Sequence, residues 1–340
     1  MGGLTAPNPG DRATAPDGKA EVGVDVTMLT GLYRRMCSIR YFEERVLEMR
    51  LANQVVGSVH LCNGQEAIAV GTCAALDLPK DLVFPTYRGH GWTLACGAPQ
   101  ESVFAELLGR ESGLNGGRGG SAYLSAPDYG MYGENSIVGA GVPIAAGAAL
   151  AAQFDDSGRV TVAVIGDGAM NQGSVHEAMN LAAVRRLPFI LVVENNGYSE
   201  LTPIADTVVS DVLYKRASAY GMKGIRIDGN DVVNVARTMR QVVSAARSGD
   251  GPILVEATTE RLVGHYIGDA QLYRPAGEID RAKANEPLVR ARRKLEGAGM
   301  PSTELDALEA EILAETLSAS YAALEAPRSD PSTVLEHLYA

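Results

Sequence analysis

Asp167 and Asn196 carry the two oxygen ligands in this sequence most suited to a hard cation. A carboxylate and an amide oxygen suit Mg²⁺, which keeps open positions for phosphate oxygens and seldom takes an all-protein cage. Each follows a stretch that must end a buried strand. Thr161 to Ile165 is a short apolar, β-branched run that reads as a parallel strand, and Gly166 breaks it so that Asp167 leaves its carboxyl end. Phe189 to Val193 is a second such run, with Glu194-Asn195-Asn196-Gly197-Tyr198 as its polar exit. Between them, Ser174-x-x-Glu177 reads as a capping box. Val175, Ala178, Met179 and Ala182 share one helical face, and Arg185 and Arg186 suit the last turn before Pro188. A right-handed βαβ unit sets both exits side by side at the sheet edge where ligands bind. Gly166 and Gly168 let backbone N–H groups approach a diphosphate. Taken singly, GDG and NG are ordinary turns; their conjunction points to a site.

Three further stretches hold reactive side chains. His60 lies in Val59-His60-Leu61-Cys62-Asn63-Gly64-Gln65-Glu66-Ala67, just before a small-residue helix read over Ala67 to Leu76. An imidazole titrates near neutral pH but is also a common structural hydrogen-bond partner. Tyr87, Arg88 and His90 share a Gly-bounded loop, where an arginine suits bidentate phosphate binding. His265 belongs to a polar loop, Arg261 to Asp269, followed by Tyr273-Arg274.

The elements that position these residues are legible in outline. Val26 to Asn53 reads as one or two amphipathic helices, with Arg40, Glu43, Glu44 and Arg45 on a solvated face or interface. Gly113 to Ser121 is too glycine-rich for anything but a loop. Gly139 to Ala152 is a small-residue helix, either packed at a subunit interface or buried in the core. Leu213 to Tyr220 reads as helix, Lys223 to Ile227 as strand, Val232 to Arg247 as helix and Pro252 to Glu256 as strand. Arg281 to Leu295 and Thr303 to Leu324 read as amphipathic cover helices, the second opened by Thr303-x-x-Asp306. This alternation predicts an α/β fold with a mostly parallel sheet. The expected organisation is a mobile tail over 1–23, one domain over 24–325 and a C-terminal tail over 326–340.

The 340 residues suffice for a full core, and a formal charge of -11 argues against nucleic acid or an anionic membrane as partner. No apolar run has the length of a membrane span and the N-terminus lacks signal-peptide order, so a cytoplasmic location is expected. Cys37, Cys62, Cys73 and Cys96 form no C-x-x-C pair and read as small buried hydrophobes of a reducing compartment.

Gly166-Asp167-Gly168, the helix after it and Asn195-Asn196 resemble the thiamine diphosphate motif. The resemblance implies Asp167 and Asn196 as Mg²⁺ ligands, with a backbone carbonyl from Tyr198, and Gly166, Gly168 and Ala169 along the diphosphate. His60-Leu61-Cys62-Asn63-Gly64-Gln65-Glu66-Ala67 resembles the HLCxGQEA motif of the alpha subunit of the first component of 2-oxo acid dehydrogenase complexes. That family implies an active-site role for His60, diphosphate contacts from Tyr87 and Arg88, and an aminopyrimidine site from the NGIVG-like segment holding Ser136 and Val138. It also implies that His265 closes over cofactor and lipoyl arm, with Asp269 and Arg274 ordering its loop. The RGHG and Gly-Asp-Ala-Gln wording looks closest to acetoin dehydrogenases, and no serine lies between Gly264 and Arg274 for phosphorylation.

The resemblance spans Val26 to Arg274 and covers only the diphosphate-binding half of such an enzyme. It therefore implies a beta subunit bringing the pyrimidine-binding half and the activating glutamate, in an α2β2 assembly. The expected reaction cleaves a 2-oxo acid or acetoin and passes the acyl unit to a lipoyl carrier. Trp92, Tyr123 and Ser136 depart from the family wording and keep a second reading open, in which the pair acylates a carrier protein or joins two carbonyls. A nicotinamide site is disfavoured because Asn171 stands where G-x-G-x-x-G needs its third glycine.

Overall fold

The computed structural model describes residues 25–210 and 212–336; the expected tail over 1–23 lies outside them. In chain order the strands are β1 (Leu82–Phe84), β2 (Thr161–Gly166), β3 (Phe189–Asn195), β4 (Tyr198–Ser199), β5 (Thr202–Pro203), β6 (Lys223–Asp228) and β7 (Ile253–Thr258). β4 and β5 pair antiparallel, and the others form one parallel sheet in the order β1-β2-β3-β7-β6. The helices are α1 (Val26–Leu51), α2 (Glu66–Cys73), α3 (His90–Ala95), α4 (Gln100–Leu107), α5 (Gly141–Ala151) and α6 (Gly173–Arg185). They continue with α7 (Val232–Arg247), α8 (Glu278–Ala284), α9 (Pro287–Gly297) and α10 (Ser302–Glu325). The expected α/β fold with a parallel sheet is what the chain adopts.

Strand side chains alternate between two helical layers, which is why β2 and β3 are apolar at nearly every position. Val162, Val164, Ile190 and Val192 join the core of α1, α2, α4 and α7. Ala163, Ile165, Leu191 and Val193 join the core of α5 and α6. Truncating Ile190 or Leu191 to Ala would cost about 2–5 kcal/mol. The register sets Gly166 opposite Glu194, so Asp167 and Asn196 leave the sheet together at one edge, as expected.

Local signals gave way where tertiary contacts competed. α1 is a single helix; its Glu43 is buried and its Arg40 only partly exposed, rather than both being solvated. Glu43 faces His90, while Arg40 pairs with Glu66 and Glu286 at 2.6 Å each. The Ser174–Glu177 capping box is not formed. After a 3₁₀ turn over Asp167–Asn171, α6 already begins at Gly173, so Ser174 lies inside the helix and the N-cap is Gln172 without a side-chain bond. Leu213–Tyr220 is a 3₁₀ helix ending at Gly221 in the left-handed region. The helix expected over Arg281 to Leu295 is split into α8 and α9, because Pro287 has no N–H and holds Glu286 extended. α10 begins at Ser302 after Pro301, so Thr303 caps nothing and Asp306 instead pairs with Arg292 at 2.6 Å. The small-residue helix α5 buries Val142, Ala145, Ala146 and Ala149, while Ile144 on its other side is 53% exposed. Beyond α10, Ser329 donates through its hydroxyl to the Gly116 carbonyl, fastening this segment to the glycine loop.

Candidate active site

The exits of β2 and β3 form the floor of an open cleft of about 890 Å³, the solvent at its mouth included. Asp167 is 1% exposed; its Oδ1 accepts from the Gly168 N–H at 2.7 Å, and its Oδ2 is buried without a hydrogen-bond partner among the described residues. Burial raises its pKa to about 6, against the lowering effect of the Gly168, Gly197 and Tyr198 amides. Asn196 donates from Nδ2 to Gln65 Oε1 at 2.9 Å and accepts the Tyr198 N–H on Oδ1 at 3.2 Å. Asn195 turns the other way and donates to the buried Glu256 at 2.7 Å. Gly168 cannot carry a side chain, since a Cβ there would lie 2.1 Å from Ser199 Oγ. An orphaned carboxylate oxygen beside an amide oxygen is the kind of donor pair a hard cation accepts. No cluster of three or more His, Cys, Asp or Glu suited to a metal occurs among the described residues.

The two histidines meet above this floor. The His60 ring lies 4.5 Å from Tyr87 and 4.9 Å from His265, centroid to centroid. Burial and the Arg88 cation push the His60 pKa down to about 3 and that of His265 to about 4, so both rings are neutral near pH 7. Guanidinium groups of Arg88 and Arg261 each stand 3.4 Å from His265 Nδ1. Two cations at Nδ1 make that nitrogen the acceptor and leave the ring proton on Nε2. Arg88 also donates to the Leu61 carbonyl at 2.5 Å and the His265 carbonyl at 2.8 Å, joining the two histidine loops. The His265 loop is closed by Asp269, which accepts the His265 N–H at 2.6 Å and the Tyr273 hydroxyl at 2.8 Å. Arg274 donates to the Arg261 and Val263 carbonyls.

Tyr87, Arg88, Val138, Gly166, Asp167, Gly168, Ala169, Asn196, Tyr198 and His265 all line this cleft. His60 stands behind Tyr87 and His265 rather than on the wall. Ser136 is also off the wall, which Asn135, Ile137 and Val138 form, with Asn135 Oδ1 turned back to the Ile137 N–H at 2.8 Å. Ile137 and Val138 are 70% and 44% exposed at the open lip.

The family model described as "Dehydrogenase E1 component" matches residues 33–332. The chain belongs to the dehydrogenase E1 component family. Among its relatives is the alpha subunit of acetoin:2,6-dichlorophenolindophenol oxidoreductase of Cupriavidus necator, 38% identical over 96% of this chain and 98% of the relative. The pyruvate dehydrogenase E1 component alpha subunit of Zymomonas mobilis is 40% identical over 88% of this chain and 85% of its own. The human mitochondrial somatic form of that subunit is 35% identical, over 91% of this chain and 78% of its own. This E1 chain is thus an alpha-type subunit of an oxidoreductase family, and no described helix is long and apolar enough to cross a membrane.

Several residues that shape the E1 site escaped sequence reasoning. Arg261 lines the cleft at 2% exposure and donates to the Glu200 carbonyl and Tyr273 hydroxyl, yet a lone loop arginine carries no local signal. Glu194 also lines it; burial lifts its pKa to about 7, and it accepts from the Trp92 indole at 3.1 Å. Trp92 is therefore a buried partner of Glu194 rather than a wall residue. Glu43 accepts from the Cys62 N–H at 2.9 Å and contacts His90 Nδ1 at 2.8 Å, while His90 Nε2 reaches Ser121 at 2.9 Å. The buried Glu106 organises the glycine loop by accepting the N–H groups of Asn115, Gly117, Gly119 and Gly120. Only the cluster of glycines, which lets successive amides converge, hinted that such an anion was needed.

Proposed function

We propose that this E1 alpha subunit binds thiamine diphosphate with Mg²⁺ held by Asp167, Asn196 and the Tyr198 backbone carbonyl. The observation that carries this reading is the buried, unpartnered Asp167 Oδ2 facing the cleft floor beside Asn196. Gly166, Gly168 and Ala169 would give backbone contacts to the diphosphate, with Tyr87 and Arg88 on the opposite wall. Ser136 and Val138 would offer backbone groups to the aminopyrimidine ring. When bound, the cofactor supplies the electron sink for cleaving a carbon–carbon bond next to a carbonyl.

The chain's own residues then orient and shield. Neutral His265 offers a hydrogen-bond donor from Nε2, and His60, kept uncharged at pH 7, packs behind it, the two loops joined through Arg88. The substrate is a 2-oxo acid or acetoin, and the acyl acceptor a lipoyl carrier. The exposed lip of Ile137 and Val138 supports completion of the site by a beta subunit that brings the pyrimidine-binding half and activating glutamate, in an α2β2 assembly. Glu134 does not supply that glutamate, being packed under Gly89, where a Cβ would lie 2.4 Å from its Oε1. A cytoplasmic site of action fits four cysteines that form no C-x-x-C pair. Trp92 is turned into the core against Glu194 and away from the cleft, which favours the dehydrogenase over carrier acylation or carboligation.

The test is turnover by this chain co-purified with its beta partner, given Mg²⁺, thiamine diphosphate, an artificial electron acceptor and, separately, pyruvate, branched 2-oxo acids and acetoin. Acceptor reduction with one donor, only when both subunits are present, is expected. Robust turnover by this chain alone contradicts the shared site. Donor cleavage without acceptor reduction moves the protein to carrier acylation or carboligation.

A further inference from the structure

Asn196 presents a problem that Asp167 does not. A carboxylate offers oxygen at both ends, whereas an amide turned by 180° offers an NH₂ group, a donor that repels a cation. Something must fix which end of the Asn196 side chain is oxygen.

Gln65 does this by its position. It is 2% exposed, stands at the N-cap of α2 and lines the cleft beside Asn196. Its Oε1 takes the Asn196 Nδ2 hydrogen at 2.9 Å, so the NH₂ end is committed to Gln65 and Oδ1 lies on the side of the Tyr198 N–H. The opposite amide orientation would set NH₂ against the Tyr198 N–H, which can only donate, and, with Gln65 as it stands, oxygen against oxygen.

The backbone carrying Asn196 is fixed independently. Asn195 spans the sheet to Glu256 at 2.7 Å and accepts the Gly197 N–H on Oδ1 at 3.2 Å, closing the turn on either side of Asn196. Glu256 is fully buried on β7, and its other oxygen accepts the Tyr214 N–H at 2.9 Å. The paired asparagines therefore divide the work: Asn195 anchors the turn inward and Asn196 faces the cleft.

We infer that Gln65 is a positioning residue for the cation site, selecting the Asn196 amide orientation that presents oxygen to Mg²⁺. The inference rests on the metal reading of Asp167 and Asn196. Partners that orient a metal ligand typically change metal affinity by about 10- to 100-fold when removed.

Gln65→Met keeps the side-chain length and removes the acceptor; Gln65→Leu is made in parallel in case the first variant does not assemble. The readout is the Mg²⁺ concentration giving half-maximal thiamine diphosphate binding to the α/β complex, by calorimetry, with the melting temperature of the cofactor-free complex alongside. In the unaltered background the substitution should raise that concentration by about 10-fold or more. In an Asn196→Asp background it should change it by no more than about twofold, because a carboxylate has no wrong end to select. An equal loss in both backgrounds would show a packing role and overturn the inference, as would no loss in either. Thiamine diphosphate binding that ignores Mg²⁺ in the unaltered complex would remove the metal site itself, and the role of Gln65 with it.

Discussion

Arg88 donates a hydrogen bond to the backbone carbonyl of His265 at 2.8 Å. With its second bond, to the Leu61 carbonyl next to His60, one guanidinium sets the spacing of both histidines. A lysine carries the same charge as a point and cannot span two carbonyls in a fixed fork. Arg88→Lys is therefore expected to lower kcat by about 100-fold, the scale on which ångström misplacement of reacting groups acts. Steady-state kinetics of the α/β complex would check this; a variant that lost only cofactor affinity would reduce Arg88 to a phosphate contact.

The histidines also make a pH prediction. Their folded pKa values, about 3 for His60 and about 4 for His265, lie below the ordinary value of 6.5. Between those limits the unfolded chain binds protons that the folded chain refuses, so stability falls as pH drops from 6.5 towards 4. His265→Asn should flatten this acid limb while leaving stability above pH 7 nearly unchanged. Denaturant midpoints at pH 7.5 and 5 would measure the difference, and an unaltered acid slope would mean that the imidazole is protonated in the fold.

Glu106 is expected to matter far more than its place in an unremarkable helix implies. Its carboxylate takes four backbone N–H groups of the glycine loop. Glu106→Ala strands those donors, at about 1–3 kcal/mol for each that stays buried. The variant should show protease cleavage between Gly113 and Ser121 that the unaltered chain resists. Intact loops after equal digestion would show that the glycines hold their own conformation.

The parts of the site legible in sequence are those where chain neighbours act together. Asp167 and Asn196 stood out because each closes an apolar run, and parallel register then guarantees their meeting at Gly166 and Glu194. His60 and His265 were visible only through resemblance, since nothing local separates a reactive imidazole from a structural one. Glu43 was misread because its partner His90 is 47 positions away, and a glutamate on an amphipathic helix otherwise faces water. Gln65, Glu106 and Arg261 likewise act through bonds to distant backbone or side chains. The capping boxes at Ser174 and Thr303 failed for the reverse reason: each helix starts ahead of its serine or threonine, capped at Gln172 in one case and at Pro301 in the other.

The most direct test of the cation site uses Asp167→Asn and melting temperatures of the α/β complex at pH 8. Burial holds the Asp167 pKa near 6 in spite of the amides around it, so its charge costs stability above the ordinary carboxylate range. Without cofactor, the variant should melt at or above the unaltered complex. Adding Mg²⁺ with thiamine diphosphate at 100 times its dissociation constant should stabilise the unaltered complex by about 2.7 kcal/mol and leave the variant unmoved. A variant that melts lower without cofactor, yet keeps the full Mg²⁺-dependent gain, would show Asp167 to be structural and contradict the site proposed here.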